Sequence, residues 1–256
     1  MPAGSLFDLS GRVALVTGAS RGIGSAIAEI LAEHGAQVVL SSRKQADLDT
    51  EAERINALYP EKAVAIAAHA GKPEDLERLV QQVMERFSRI DILINNAATN
   101  PYFGPVLGAE LSAWDKTFEV NLRGIFVLTQ QVYRASMEAH GGAIVNIASI
   151  GGIRPGLGLG VYNVSKAALI MLTRQLAREL GGQVRVNAVA PGLVKTRFAE
   201  ALWGNQEILD RVLAQNPMGR IGVPSEVAAA VLFLASDAAS YVNGEVLVVD
   251  GGGGEV

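Results

Sequence analysis

No cysteine occurs among the 256 residues, so disulfides, thiolate metal sites and a cysteine nucleophile are excluded together. An excess of positive charge is missing too. The 22 Lys and Arg stand against 26 Asp and Glu, and a net charge of −4 argues against nucleic acid as a partner. The longest clean apolar run, residues 227–235, is far too short for a bilayer span, so no membrane is expected. Met1-Pro2-Ala3-Gly4 has neither a basic n-region nor an apolar core, which sets aside a secretory signal and points to a cytoplasmic setting. No Pro/Gly-rich linker, repeat or composition shift divides the chain, and a single domain over residues 1–256 is expected.

What is present is alternation. Strand-like runs at residues 12–17, 37–41, 63–68, 90–95, 144–148, 184–189 and 246–249 are separated by helical patterns at 22–34, 45–58, 112–139 and 224–236. Another helix opens at Lys72-Pro73-Glu74-Asp75, with proline in its first turn and carboxylates over its positive end. Strict βα alternation predicts an α/β fold with a parallel sheet and helices on both faces.

The turn after the first strand reads Thr17-Gly18-Ala19-Ser20-Arg21-Gly22-Ile23-Gly24. Glycines there let the backbone turn tightly and approach a pyrophosphate seated on the helix N-terminus. Plain turn geometry also uses glycine, but the strand–turn–helix context favours a nucleotide site. After the second strand an NAD-type site would place Asp or Glu on the ribose. This chain has Ser41-Ser42-Arg43-Lys44 instead. Arg43, with Arg21 from the first turn, matches a 2′-phosphate, so NADP is the expected nucleotide.

Tyr162 and Lys166 lie four apart at the start of a helix, on one face. A cation beside a phenol favours the phenolate, which would fit Tyr162 for proton transfer near neutral pH. Alone, Tyr-x3-Lys is a common accident of amphipathic helices. Ser149 ends the buried run 144–148 and is punctuated by Gly151 and Gly152, which puts its hydroxyl at the mouth of the sheet. Asn121 sits on the apolar stripe Trp114, Phe118, Ile125, Leu128. It is either a satisfied structural amide at a helix kink or a site group bound to water or backbone.

Together Thr17-Gly18-x3-Gly22-Ile23-Gly24, Asn95-Asn96-Ala97, Asn121, Ser149, Tyr162-x3-Lys166 and Pro191-Gly192 resemble the short-chain dehydrogenase/reductase family over essentially the whole chain. The resemblance implies a Rossmann-type doubly wound sheet of seven parallel strands and a catalytic tetrad of Asn121, Ser149, Tyr162 and Lys166. In that scheme Ser149 holds the substrate oxygen and Tyr162 passes the proton. Lys166 lowers the phenol pKa and grips the nicotinamide ribose, and Asn121 positions a relay water. It further implies cofactor contacts from Gly18, Ser20, Arg21, Gly22, Ile23, Gly24, Ser42, Arg43, His69, Asn95 and Ala97. Pro191, Gly192, Val194 and Thr196 would wrap the nicotinamide end, and the assembly would be a homotetramer. The chain departs from the family at Ala98, where glycine is usual, and at His69, where many members carry an Asp on the adenine.

A nearer likeness runs through His69-Ala70-Gly71-Lys72, Asn100-Pro101-Tyr102-Phe103-Gly104 and Leu193-Val194-Lys195-Thr196. These resemble the NADPH-dependent carbonyl and retinal reductases, whose animal members are peroxisomal; residues 251–256 carry no peroxisomal tripeptide. The implied substrate is a small-molecule ketone or aldehyde interconverted with its alcohol. The lid after Thr196, with Phe198, Ala201, Leu202, Trp203, Ile208 and Leu209, would face Ile150, Ile153, Tyr102 and Phe103 across an apolar pocket. A 3-oxoacyl-acyl-carrier-protein reductase is the enzyme alternative, and an NADP-binding regulatory protein the non-enzyme one. A Ser–His–Asp hydrolase is disfavoured because His34, His69 and His140 all fall away from Ser149, and no His/Asp cluster has metal-ligand spacing.

Overall fold

The computed structural model describes residues 6–156 and 158–253. Its strands are β1 Val13–Thr17, β2 Gln37–Ser42, β3 Ala63–Ala67, β4 Ile92–Asn95, β5 Gly142–Ile147, β6 Val184–Pro191 and β7 Val246–Val249. Every pairing is parallel, and the order is β3-β2-β1-β4-β5-β6-β7. Val16 sits between Leu40 and Ile94, the β1 strand being buried from end to end. Strands covered on both faces can be apolar at every position, which is why they read as continuous runs and not as alternation.

Helices α1 Gly22–Glu33 and α2 Gln45–Leu58 pack on one face with α10 Pro224–Ala235, through Ile27, Leu31, Leu48, Ile55 and Val231. Helix α3 Pro73–Phe87 covers the other, through Leu76, Leu79, Val80 and Val83. Those positions recur at i, i+3, i+4 and i+7, one stripe of a helix. Pro73 starts α3 and Ser88 ends it in the left-handed conformation at φ 60°. The C-terminal end of α10 is closed from β6: Arg185 donates to the carbonyls of Leu234 (2.7 Å) and Ser236 (2.9 Å).

The single helix expected over 112–139 is instead three pieces, α4 Leu111–Phe118, α5 Gly124–Val132 and α6 Glu138–His140. Two π-helical turns join them, at Glu119–Arg123 and Tyr133–Met137. Each π turn widens the helix locally, and such bulges concentrate at functional positions. The long α7, Gly160–Leu180, follows β5 and crosses to β6. Between β6 and α10 lie two short helices that alternation did not reveal, α8 Glu200–Trp203 and α9 Gln206–Ala214. Among the described residues no helix is long and apolar enough to cross a membrane.

Strand order reverses between β1 and β4, whose carboxyl ends carry Thr17-Gly18 and Asn95-Asn96. In an open α/β sheet that switch point is where ligands bind.

Candidate active site

The switch point is built from hydrogen bonds across the two strand ends. Thr17 Oγ1 accepts from the N–H groups of Asn96 (3.0 Å) and Ala97 (3.1 Å). Asn96 Nδ2 donates back to the carbonyls of Thr17 (2.9 Å) and Gly18 (3.1 Å). Asn96, which the resemblance placed in a motif without a role, is thus the clasp on the glycine turn. Gly18 and Gly22 occupy the left-handed region at φ 66° and 62°. A Cβ on Gly24 would lie 2.3 Å from the Gly18 carbonyl oxygen, so the turn closes only without a side chain there. Arg21, at the N-cap of α1, is extended and no side chain caps the helix. No side chain of the N-cap takes up the first-turn N–H groups, the terminus at which a phosphate would bind.

Arg21 and Arg43 are exposed and form no ion pair among the described residues, and Ser42 beside Arg43 is half-buried. His69 is half-buried, and its Nδ1 accepts from the Gly71 N–H at 3.0 Å, which leaves the proton on Nε2. Burial lowers the imidazole pKa, with Lys116, Arg43 and Lys72 adding to it, so the ring is neutral near pH 7. Asn95 turns inward: its amide donates to Asn146 Oδ1 (2.9 Å) and Thr129 Oγ1 (3.3 Å). Its Oδ1 is buried without a hydrogen-bond partner. These residue types fit a dinucleotide with a phosphorylated ribose: a bare glycine turn, an open helix N-terminus and unpaired guanidinium groups.

Pro191 ends β6, and Val194 is buried in a bridge to Gly222. The Thr196 methyl comes within 3.5 Å of where a Cβ on Gly22 would stand, so this segment reaches the glycine turn.

The tetrad residues converge one strand further along. Ser149 follows β5, and its Oγ accepts from the Gly151 N–H at 3.1 Å. Its hydroxyl acts on the Tyr162 phenol in the direction that favours ionisation. Lys166 is 1 % exposed, and its Nζ donates to the Ile147 carbonyl at 2.6 Å while lying 5.6 Å from the Tyr162 ring centroid. Asn121 is fully buried in the first π turn. Its Oδ1 accepts from the Thr99 N–H (2.8 Å), and its Nδ2 donates to the Thr99 carbonyl (2.9 Å) and to Ser165 Oγ (3.1 Å). Ser165 in turn donates to the Tyr162 carbonyl at 2.7 Å. Both amide donors are taken by protein groups, and the side chain ties the π turn to the helix that carries Tyr162. Ser165 and Thr99 escaped the sequence reading because only the folded chain brings them to Asn121.

Burial acts on Tyr162 in the direction opposite to the one expected of Lys166. The phenol was to be acidified by Lys166, yet burial pushes Tyr162 up to about 12, with only Ser149 opposing it. Burial also brings Lys166 down to about 7. Lys166 is buried and Tyr162 half-buried, and desolvation disfavours the charged form of each. At neutral pH this geometry holds the phenol protonated.

Among the described residues no group of three or more His, Cys, Asp or Glu could hold a metal ion. The family model described as enoyl-(acyl carrier protein) reductase matches residues 18–253. The human dehydrogenase/reductase SDR family member 4 is 42 % identical over 247 residues, covering 95 % of this chain and 88 % of its own length. The rabbit protein of the same name is 43 % identical, covering 95 % and 94 %. Among solved structures, a gluconate 5-dehydrogenase from Burkholderia cenocepacia in complex with NADP and tartrate superposes with a TM-score of 0.93 at 33 % identity, covering 98 % of each chain. A short-chain type dehydrogenase/reductase from Mycobacterium marinum reaches 0.92 at 35 %, covering 98 % of this chain and 99 % of its own. By its seven-stranded parallel sheet and these whole-length likenesses, the chain belongs to the short-chain dehydrogenase/reductase family of oxidoreductases.

Proposed function

We propose that this enzyme is an NADPH-dependent carbonyl reductase, interconverting an apolar ketone or aldehyde with its alcohol. The observation that carries the reading is the buried Lys166, its Nζ on the Ile147 carbonyl and 5.6 Å from the Tyr162 ring, at the carboxyl end of the sheet that also holds the glycine turn. NADPH, when bound, supplies the hydride for the carbonyl carbon. Ser149 Oγ donates to the substrate oxygen and orients it, and Tyr162 Oη delivers the proton that oxygen takes up. The phenol is protonated at neutral pH and so holds the proton that this step needs. Lys166 would hold the ribose of the cofactor and support the phenolate that proton transfer leaves. Asn121 and Ser165 fix the helix turn on which Tyr162 stands. Arg21 and Arg43 select the 2′-phosphate. Asn121 would position the relay water, its side chain anchored on Thr99 and Ser165.

The name shared by the human and rabbit relatives and the NADP in the Burkholderia structure support this reading. Against a carrier-protein substrate stands the loop before the Ser149 strand. Residues 137–142 contain no Lys or Arg to meet an acidic partner, although Arg178 on α7 is exposed. A homotetramer in the cytoplasm completes the proposal. Phe126, Val164 and Met171 leave apolar area exposed on α5 and α7, as does Val248 on β7, and light scattering reads the assembly directly. The activity is tested with a panel of aromatic ketones, α-dicarbonyls, retinal and a 3-oxoacyl carrier-protein thioester, each with NADPH and NADH. An apolar carbonyl with NADPH is expected to have the highest kcat/KM. A carrier-protein substrate ahead by more than about tenfold, ~1.4 kcal/mol of transition-state preference, would reject the reading. Tight NADPH binding without any turnover would mark a regulator instead.

A further inference from the structure

We propose that Asn163 is a positioning residue for the reaction: its side-chain amide, wedged against Gly151 and Gly156, fixes the turn that orients the Ser149 hydroxyl. The inference rests on the carbonyl-reductase reading, in which Ser149 holds the substrate oxygen, and adds a residue that acts through Ser149.

Asn163 is one of the unspecified positions between Tyr162 and Lys166, and nothing in the spacing marks it. In the fold it is 7 % exposed, next to the phenol on α7. The two ends of its amide are used unequally. Nδ2 donates to the Gly156 carbonyl at 3.3 Å and ties an exposed stretch of chain to the helix. Oδ1 is buried with no hydrogen-bond partner. A buried polar atom left bare destabilises the fold, and native structures keep few of them. An apolar side chain of similar size would avoid that cost, so packing alone does not account for an amide here.

What the bare oxygen touches supplies the reason. A Cβ on Gly151 would collide with Asn163 Oδ1 and stand 2.9 Å from its Cγ, so the amide fills the place where another residue would carry its side chain. Gly151 is also the residue whose N–H bonds to Ser149 Oγ at 3.1 Å. Its neighbour is pinned as well. A Cβ on Gly152 would lie 2.7 Å from the Lys166 carbonyl carbon, and the Gly152 N–H bonds to the Ser149 carbonyl at 2.9 Å. The short turn Ile150–Gly152 is thus pressed onto α7, with Asn163 against Gly151 and the Lys166 backbone against Gly152. Any shift of Gly151 carries its N–H along, and with it the orientation of the Ser149 hydroxyl. A misplacement of about 1 Å at a reacting group can cost on the order of 10²-fold in rate. Removing the amide gives Gly151 room for such a shift while Ser149, Tyr162 and Lys166 keep their own side chains.

The first test compares Asn163→Ala with the wild type on 1-phenyl-1,2-propanedione, with NADPH affinity read by fluorescence titration and the melting temperature alongside. The expected result is a fall in kcat of about 10- to 100-fold, with KM and NADPH Kd within about twofold and the melting temperature within about 3 °C. An unchanged kcat overturns the inference. So does a fall in kcat matched by losses in KM, Kd and melting temperature, which would make Asn163 a structural brace. The second test reads the contact itself. Gly151→Ala should lower kcat because its methyl collides with Oδ1. Adding Asn163→Ala makes room for that methyl, so the double variant should exceed Gly151→Ala in kcat by about fivefold or more, the non-additivity of residues in contact. A double variant no faster than Gly151→Ala overturns the inference, however well the single variant folds. A wild type that reduces no carbonyl of the panel overturns the carbonyl-reductase reading and this inference with it, and is seen before any variant is made.

Discussion

The two halves of the site handle positive charge in opposite ways. At the nucleotide end Arg21 and Arg43 are exposed and free of ion pairs among the described residues, so water solvates them and folding bears no cost for their charge. At the chemical end Lys166 is 1 % exposed, its ammonium rests on the Ile147 carbonyl, and burial is the sole cause of its lowered pKa. An exposed cation waits for an anion and contributes affinity when one arrives. A buried one destabilises the fold that holds it, which is tolerable where the position is needed for chemistry. Stability and cofactor choice are therefore separable: substitutions at one end should move one quantity, substitutions at the other end the other.

The largest expected effect breaks the chemical end alone. Tyr162→Phe removes the only proton the phenol can give and keeps the ring against Phe198. Proton transfer by a positioned group is worth about 10²–10⁴-fold, so kcat should fall by that amount with NADPH Kd nearly unchanged. Retention of more than about a tenth of wild-type kcat would falsify the acid role of Tyr162.

Next is the cost of Lys166. With its pKa near 7 in the fold and about 10.4 when unfolded, the unfolded chain binds the extra proton between those values. Stability then rises with pH from about 7 to about 10, and below 7 the full penalty remains. Above pH 10 the slope turns down, because Tyr162 stays protonated in the fold up to about 12 while the unfolded phenol ionises. Each pKa unit corresponds to about 1.4 kcal/mol, so the buried ammonium is costly at neutral pH. Lys166→Met should raise stability at pH 7, flatten the profile between pH 7 and 10, and abolish turnover. Urea unfolding at pH 7, 8.5 and 10 measures it; an unchanged slope in the variant would remove the buried charge from the account.

The same contrast explains what could be read before the fold was seen. The glycine turn, the absent acid after β2 and the Tyr162–Lys166 spacing are local requirements, each satisfied by neighbours in sequence, and the strands announce themselves by continuous apolar runs. The π turn at Glu119–Arg123 carries no such mark. The stripe Trp114, Phe118, Asn121, Ile125, Leu128 runs through it at ordinary helical spacing, and the inserted width shows only in three dimensions. The link from Asn121 to Ser165 spans 44 residues. The upward direction of the Tyr162 shift was hidden for a related reason: spacing shows that a cation is near, but not how far burial acts on each group.

The smallest effect sharpens the other half. Arg43→Ala removes one of two guanidinium groups beside the expected 2′-phosphate and touches no ion pair of the fold. A hydrogen bond to a charged partner is worth about 1.5–3 kcal/mol, which sets the expected loss of NADPH affinity at about 10- to 100-fold. Arg21 remains to hold part of the charge, so the lower end is the better expectation. NADH, without the phosphate, should bind the variant and the wild type alike, and the melting temperature should not move because the side chain is solvated. Salt is the control: raising ionic strength should weaken NADPH binding to the wild type more than to the variant, as an exposed pair is screened. Equal loss of NADPH and NADH affinity would mean that Arg43 shapes the strand end and does not read the phosphate, and the division between the two cations would fail at its nucleotide end.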